Sequence, residues 1–94
     1  MAEFLVELYV SRRAAGAFGL ETERARLAAD QLTAEGTRVR CLRSILVPED
    51  ETCLLLYEAD SADAVREASL RAGLAFERIS EAVASTSGEL ELCP

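Results

Sequence analysis

The chain alternates between segments of period-two hydrophobicity and segments of helical spacing. In residues 3–10 every second residue is apolar, which predicts a strand with one apolar face. Residues 20–34 carry apolar side chains at helical spacing and stop before Gly36, which predicts a helix that ends at that glycine. The apolar residues at this spacing are Leu20, Leu27, Ala28 and Leu32, and the polar Gln31 shares it.

The clearest pattern lies between Thr52 and Val83. An apolar strand over 52–59 is followed by Asp60 and Ser61, either of which can cap a helix. A cation and a glycine at Arg71 and Gly73 are typical of the end of that helix, and a new period-two pattern follows. Residues 37–47 predict the remaining strand, joined to the 52–59 strand by a turn at 48–50.

The predicted order is β-α-β-β-α-β in a single domain over residues 1–84, with a tail over 85–94. This order is that of an α+β, ferredoxin-like fold, in which a four-stranded antiparallel sheet has both helices on one face. The tail sequence alternates Glu and Leu, so it is equally well interpreted as a frayed terminus, an added edge strand or an arm that reaches a partner.

Pairing of Val47 with Glu51 would fix the register of the hairpin, with Cys41 opposite Tyr57. In that register Cys41 and Cys53 lie roughly 13 Å apart, too far for a disulfide. The face turned away from the helices would then be mixed apolar and charged, and such a face is expected to be covered by a second copy or a ligand. Its predicted members are Leu5, Glu7, Tyr9, Cys41, Arg43, Ile45, Cys53, Leu55, Tyr57, Ile79, Glu81 and Val83.

Composition excludes several classes of function. The formal net charge is −7, which disfavours nucleic acids and anionic membranes as partners. No apolar run is long enough to span a bilayer, and acids stand where a signal peptide would carry positive charge, so we expect a cytoplasmic protein. The chain contains no histidine and no lysine, which removes imidazole bases, Schiff-base chemistry and nitrogen ligands for metals.

One polar constellation is predicted on the face turned away from the helices. Glu7 and Glu81 would flank Arg43. This group could bind a polar ligand or act as an acid/base pair, or it could be a structural ion pair at a dimer interface or part of a solvated sheet face. The neighbours expected for it are Tyr9, Tyr57 and Cys41. We predict these six residues as ligand-binding candidates, with no catalytic residue, no metal ligand and no cofactor.

Five short segments together resemble a known family: 4–7 (FLVE), 43–44 (RS), 57–59 (YEA), 71–74 (RAGL) and 78–81 (RISE). The chain resembles the small bacterial domain-of-unknown-function family that includes a nickel-binding protein, and the resemblance extends over residues 3–83. It implies a ferredoxin-like fold and pairing of subunits through the sheets. Nickel-binding members use histidines, which this chain lacks, so the resemblance implies no metal site here.

We therefore expect a small ligand-binding or accessory protein that is a homo-oligomer through its sheet face, rather than an enzyme. Two alternatives stay open. One is a cofactor-independent isomerase, cyclase or monooxygenase-like enzyme acting on a small organic substrate, with Glu7 or Glu81 as base and Arg43 stabilising negative charge. The other is a purely structural member of the family.

Overall fold

The computed structural model describes residues 2–11, 13, 16 and 18–83. Its elements are β1 (Ala2–Tyr9), α1 (Phe18–Ala34), β2 (Val39–Val47), β3 (Thr52–Ala59), α2 (Ala62–Arg71) and β4 (Phe76–Ala82), with a short 3-10 turn at Pro48–Asp50. The strands form one antiparallel sheet in the order β2-β3-β1-β4. The predicted ferredoxin-like α+β fold is confirmed; the predicted tail over 85–94 lies outside the described residues.

The core lies between the sheet and the two helices. Alternate residues of β1 are buried on the helix side, as the period-two pattern predicts. The central strand β3 contributes the same alternation, and Tyr57 is among its fully buried side chains. The buried residues of the two central strands, with Val10 just after β1, are Phe4, Val6, Leu8, Val10, Cys53, Leu55, Tyr57 and Ala59.

Helix α1 packs on the sheet through small side chains. The sequence pattern pointed to Leu20, Leu27 and Gln31, but all three are exposed, with 69% of Leu20 and 60% of Leu27 accessible to solvent. The buried stripe instead has the spacing i, i+3, i+4, i+7, and its alanines allow the helix backbone to approach the sheet closely. Its members are Ala25, Ala28, Ala29 and Leu32.

Helix α2 begins and ends where the sequence predicts. The Ser61 hydroxyl accepts a hydrogen bond from the backbone N–H of Ala64 at 3.2 Å, so Ser61 is the N-cap and Asp60 is not. At the other end Gly73 has φ +71°, a left-handed conformation that closes the helix. Arg71, in the last turn, donates to both carboxylate oxygens of Glu35 at 2.8 and 2.9 Å and thereby links α2 to the end of α1.

The hairpin register differs from the prediction by one residue. Val47 pairs with Thr52, because the connection extends to Glu51, which takes a left-handed φ of +49°. A shift in register between Cys41 and Arg43 then restores the predicted pairing of Cys41 with Tyr57. Because side chains alternate between the faces, the one-residue change moves the odd-numbered residues of β3 to the helix side.

The assignment of faces in β4 is also wrong. Ile79 pairs with Val6 and Glu81 pairs with Phe4, so both share the helix side with these core residues of β1. An irregularity between Glu7 and Leu8 sets this register, and no sequence pattern marks it.

Neither of the described helices combines the length and apolar character needed to cross a lipid bilayer.

Ser61→Ala should lower the free energy of unfolding by about 1 kcal/mol, because the N–H of Ala64 loses its acceptor. Urea denaturation followed by circular dichroism would measure the change. Asp60→Ala is the matched control and should have a smaller effect. An equal loss in the two variants would contradict the assignment of Ser61 as the cap.

Candidate functional site

The side of the sheet that faces away from the helices, here called the open face, is the candidate site. Pairing across the sheet arranges it in four rows, and paired residues share a face. From β2 to β4 the first row is Arg40, Glu58, Glu3 and Ala82; the second is Arg43, Leu56, Leu5 and Ser80; the third is Ile45, Leu54, Glu7 and Arg78; and the fourth is Val47, Thr52 and Tyr9.

Three of the six predicted ligand-binding residues lie on the open face: Glu7, Tyr9 and Arg43. The other three lie on the helix side. Tyr57 is buried in the core, Cys41 pairs with Tyr57, and Glu81 pairs with the core residue Phe4. The structure therefore does not bring the six residues together on one face. In particular, Glu7 and Glu81 are separated by the sheet and cannot flank one guanidinium.

Sequence reasoning missed several residues of the open face. Leu54 and Leu56 are absent from the predicted members of this face, because a run of three leucines over 54–56 carries no period-two signal. Glu3, Glu58 and Arg78 were not singled out. Their odd or even position along each strand indicates which face they occupy, but this signal can be used only once the pairing of β1 with β3 and β4 is known.

The charges on the open face balance. Three arginines and three glutamates lie in its rows, whereas the whole chain has a net charge of −7. Arg78 lies 3.4 Å from Glu7, and Arg40 lies 3.8 Å from Glu58. The face is thus electrically neutral, although the protein as a whole is strongly acidic.

Tyr9 closes one end of the open face. Its ring is 59% exposed, and its hydroxyl donates to Glu51 Oε2 at 3.3 Å. The negative charge of Glu51 is the main reason that the pKa of Tyr9 is raised, so this hydroxyl is a hydrogen-bond donor rather than a base at neutral pH.

The described thiols lie on the helix side and are both free. Cys53 is fully buried, and burial raises its pKa to about 11. Cys41 is half-buried, and burial raises the pKa of its thiol although the charge of Arg26 acts in the opposite direction. Both thiols are therefore protonated at neutral pH and poor nucleophiles.

Tyr57 is a core residue in this fold. It is fully buried, its hydroxyl has no hydrogen-bond partner within the described part of the chain, and burial is the main reason that its pKa is raised. The hydroxyl of Ser69, which donates to the carbonyl of Val65 at 2.9 Å, opposes that rise only partly. Tyr57 contributes packing, and its ring does not reach the open face.

The residues present do not suit nickel. Nickel sites in proteins draw on imidazole nitrogen or on converging thiolates, and the chain has no histidine. Across residues 2–11, 13, 16 and 18–83, no three His, Cys, Asp or Glu side chains come together in a way that could hold a metal ion. The described cysteines do not replace the missing imidazole ligands, since the pKa of each thiol is raised and nickel binds the thiolate form.

Two surface grooves lie outside the open face, except that Arg40 of its first row also lines one of them. One, of about 340 Å³, runs between the helices and is lined by Arg24, Leu27, Ala28, Gln31, Arg71 and Ala72. The other, of about 320 Å³, lies at the outer edge of β2 and is lined by Arg26, Asp30, Arg40, Cys41 and Leu42. Of the six predicted site residues, these grooves contain Cys41 alone.

Stability should fall as the pH rises above about 8.5, in part because of Cys53. The unfolded chain releases this proton near pH 8.5, whereas the folded protein holds it until about pH 11, so the unfolded state binds fewer protons over that interval. Urea denaturation between pH 8 and 11 should show a decline that is smaller in Cys53→Ala by roughly 1 to 3 kcal/mol. Identical pH profiles for the two proteins would contradict the raised pKa.

Comparison with known proteins finds a solved structure with a similar fold and a sequence family that matches most of the chain. The crystal structure of SCO4226 from Streptomyces coelicolor A3(2) is similar to this structure, with a TM-score of 0.70 and 23% sequence identity, and the match covers 90% of this chain and 100% of that one. No curated protein sequence matches the chain. Residues 9–82 match the family described as nickel responsive protein SCO4226-like. The chain therefore belongs to the SCO4226-like family.

Proposed function

We propose that the protein is a cytoplasmic homodimer joined through its open faces, and that it binds a small organic ligand between them as an accessory protein. The observation that carries the proposal is the apolar patch on a sheet face that neither of the described helices covers. Ile45, a member of this patch, has 44% of its surface accessible to solvent. A patch of this kind, rimmed by charges, is typical of a surface that meets another molecule. Its large apolar members are Leu5, Ile45, Val47, Leu54 and Leu56.

The ligand is proposed to lie at the Tyr9 end of the paired faces. Two sheets that pack face to face are about 10 Å apart, and leucines fill that space in the middle of the face. At the Tyr9 end, Thr52 and Glu7 lie beside an exposed tyrosine, next to the leucines of the middle rows. Apolar walls with a few polar groups are the usual lining of a small-molecule site.

The name of the family does not carry nickel over to this chain. A family described as nickel responsive contains here a member without histidine and without a described cluster of metal-ligating side chains. The proposed ligand is therefore an organic molecule recognised by packing and hydrogen bonds.

The enzyme alternative has less support than binding. Of its two candidate bases, Glu81 lies on the helix side of the sheet, away from Arg43. The other, Glu7, shares the open face with Arg43 but lies 3.4 Å from Arg78, an ion pair that keeps a carboxylate charged rather than poised as a base. The structural alternative has one specific observation in its favour, which is that three arginines and three glutamates balance on the open face. A dimer held by such a face has no need of a ligand.

Leu56→Glu should convert the dimer to a monomer. Leu56 lies between Arg43 and Leu5 in the second row, so two carboxylates would enter the apolar centre of the interface. We expect the dissociation constant to rise roughly a hundredfold, equivalent to about 2.7 kcal/mol. Light scattering and sedimentation at micromolar concentration would measure it.

Leu27→Glu is the matched control, because Leu27 is exposed on the outer side of α1 and should leave the dimer intact. A wild-type protein that is monomeric at micromolar concentration, or a Leu56→Glu variant that dimerises as well as wild type, would refute pairing through the open face. Native mass spectrometry of the purified dimer then separates the binding and structural functions. A small-molecule adduct that is lost in Leu56→Glu supports binding, and a dimer free of any adduct supports the structural alternative.

Calorimetric titration of the reduced protein with Ni²⁺ should show no saturable binding with a dissociation constant below about 1 μM, because the ligands that nickel prefers are missing. The titration should be repeated with Cys93→Ser, since Cys93 lies outside the described residues. A stoichiometric site in the wild-type protein would contradict the metal-free interpretation. Its loss in Cys93→Ser would identify the thiol responsible.

A further inference from the structure

Two charges on the open face have no ion-pair partner among the described residues. Arg40 and Arg78 are each within ion-pair distance of a glutamate of the same face. Arg43 and Glu3 form no such pair, and Arg43 is exposed while Glu3 is half-buried. The leftover charges are one cation and one anion on the same surface.

Symmetry gives these two charges a specific use. In a two-fold dimer the same patch meets itself, so a contact of residue i with residue j of the partner occurs twice. Resting on the proposed dimer, we infer that Arg43 of each copy pairs with Glu3 of the partner subunit and that these two ion pairs fix the register of the two sheets. The partner recognised by the face is thus a second copy of this chain.

The position of the two charges determines where the two-fold axis runs. Arg43 and Glu3 are two strands and one row apart, which is about 12 Å on a flat sheet. A two-fold axis that places Arg43 of one copy against Glu3 of the partner subunit, and the reverse, must be the perpendicular bisector of the line between the two residues. On the grid of strands and rows of the open face, this axis passes midway between Leu5 and Leu56. Leu5 of one copy therefore packs on Leu56 of the partner subunit, and the symmetry repeats this contact.

The same axis also matches the remaining charges. It runs on between Glu7 and Arg78, so the Glu7–Arg78 pair of one copy lies against that of the partner with the signs alternating. On the other side of the leucines, Arg40 faces Glu58 of the partner subunit. All three arginines therefore meet glutamates, although the axis was placed from Arg43 and Glu3 alone.

Other simple axes do not have this property. An axis parallel to the strands between β1 and β3 sets Glu58 against Glu3 of the partner subunit. An axis across the strands at the second row sets Arg43 against its own copy. Like charges opposed in this way disfavour the wrong arrangement, so the charge pattern selects one register among several that would bury the same leucines.

Charge reversal tests the pairing. Arg43→Glu and Glu3→Arg should each weaken the dimer about tenfold or more, since each opposes like charges at two symmetric positions. The double variant Arg43→Glu/Glu3→Arg restores opposite charges and should return the dissociation constant to within about threefold of wild type. Sedimentation equilibrium at low salt and at about 0.5 M salt would measure all four proteins, and the differences should shrink at high salt.

The matched control reverses one arginine and one glutamate on the exposed side of α1, in Arg26→Glu, Glu23→Arg and their double variant, none of which should alter dimerisation. A wild-type dimer whose single reversals have no effect, or whose double reversal does not recover, overturns the Arg43–Glu3 pairing and leaves the dimer itself standing. A monomeric wild type overturns the dimer. Thermal unfolding of each variant shows whether it is folded. If a charge-reversed variant does not fold, Arg43→Gln and Glu3→Gln take its place. Each of these neutral variants should weaken the dimer, and combining them should not restore it.

Discussion

Strand β3 lies between β2 and β1, and its register against both neighbours decides which side chains the two helices cover. With Val47 paired to Thr52 and Leu5 paired to Leu56, the odd-numbered residues of β3 enter the core and the even-numbered ones face outward. A shift of one residue would exchange the two sets completely. The observed register leaves the carboxylate of Glu58 on the outward face, whereas the exchanged set would place that charge on the helix side, where burial without a partner is costly.

This register also determines what chemistry the surface can offer. Cys53 and Tyr57 lie in the core and Cys41 is half-buried beside α1, so the two described thiols and one of the two tyrosines lie inside or at the edge of the hydrophobic core. Burial keeps these three groups protonated. The open face is left with aliphatic side chains, carboxylates, guanidinium groups, a few hydroxyls and the ring of Tyr9. Such a surface suits association and packing better than proton transfer or metal ligation.

The family relationship and the residue content therefore point to different things. The chain belongs to the SCO4226-like family and has the ferredoxin-like fold, with the structure of SCO4226 from Streptomyces coelicolor A3(2) as a relative in fold. The family description mentions nickel, and this chain has no histidine. The proposed dimer would be consistent with this residue content, because the apolar area and balanced charges of the open face need no imidazole.

The sequence alone determined the order of elements, the ends of α2 and the exact span of β3, because caps, turns and period-two alternation are local signals. It also indicated Glu7, Tyr9 and Arg43 as residues of the open face. Only the tertiary structure decided the faces of Cys41, Tyr57 and Glu81, since a bulge, an irregular pairing and a one-residue longer turn reverse parity without leaving a mark in the hydrophobic pattern. Likewise only the structure shows that Ala25 and Ala29 of α1 are buried while Leu20 and Leu27 are exposed, because the side of a helix that meets the sheet is set by packing that the periodicity of one segment does not contain.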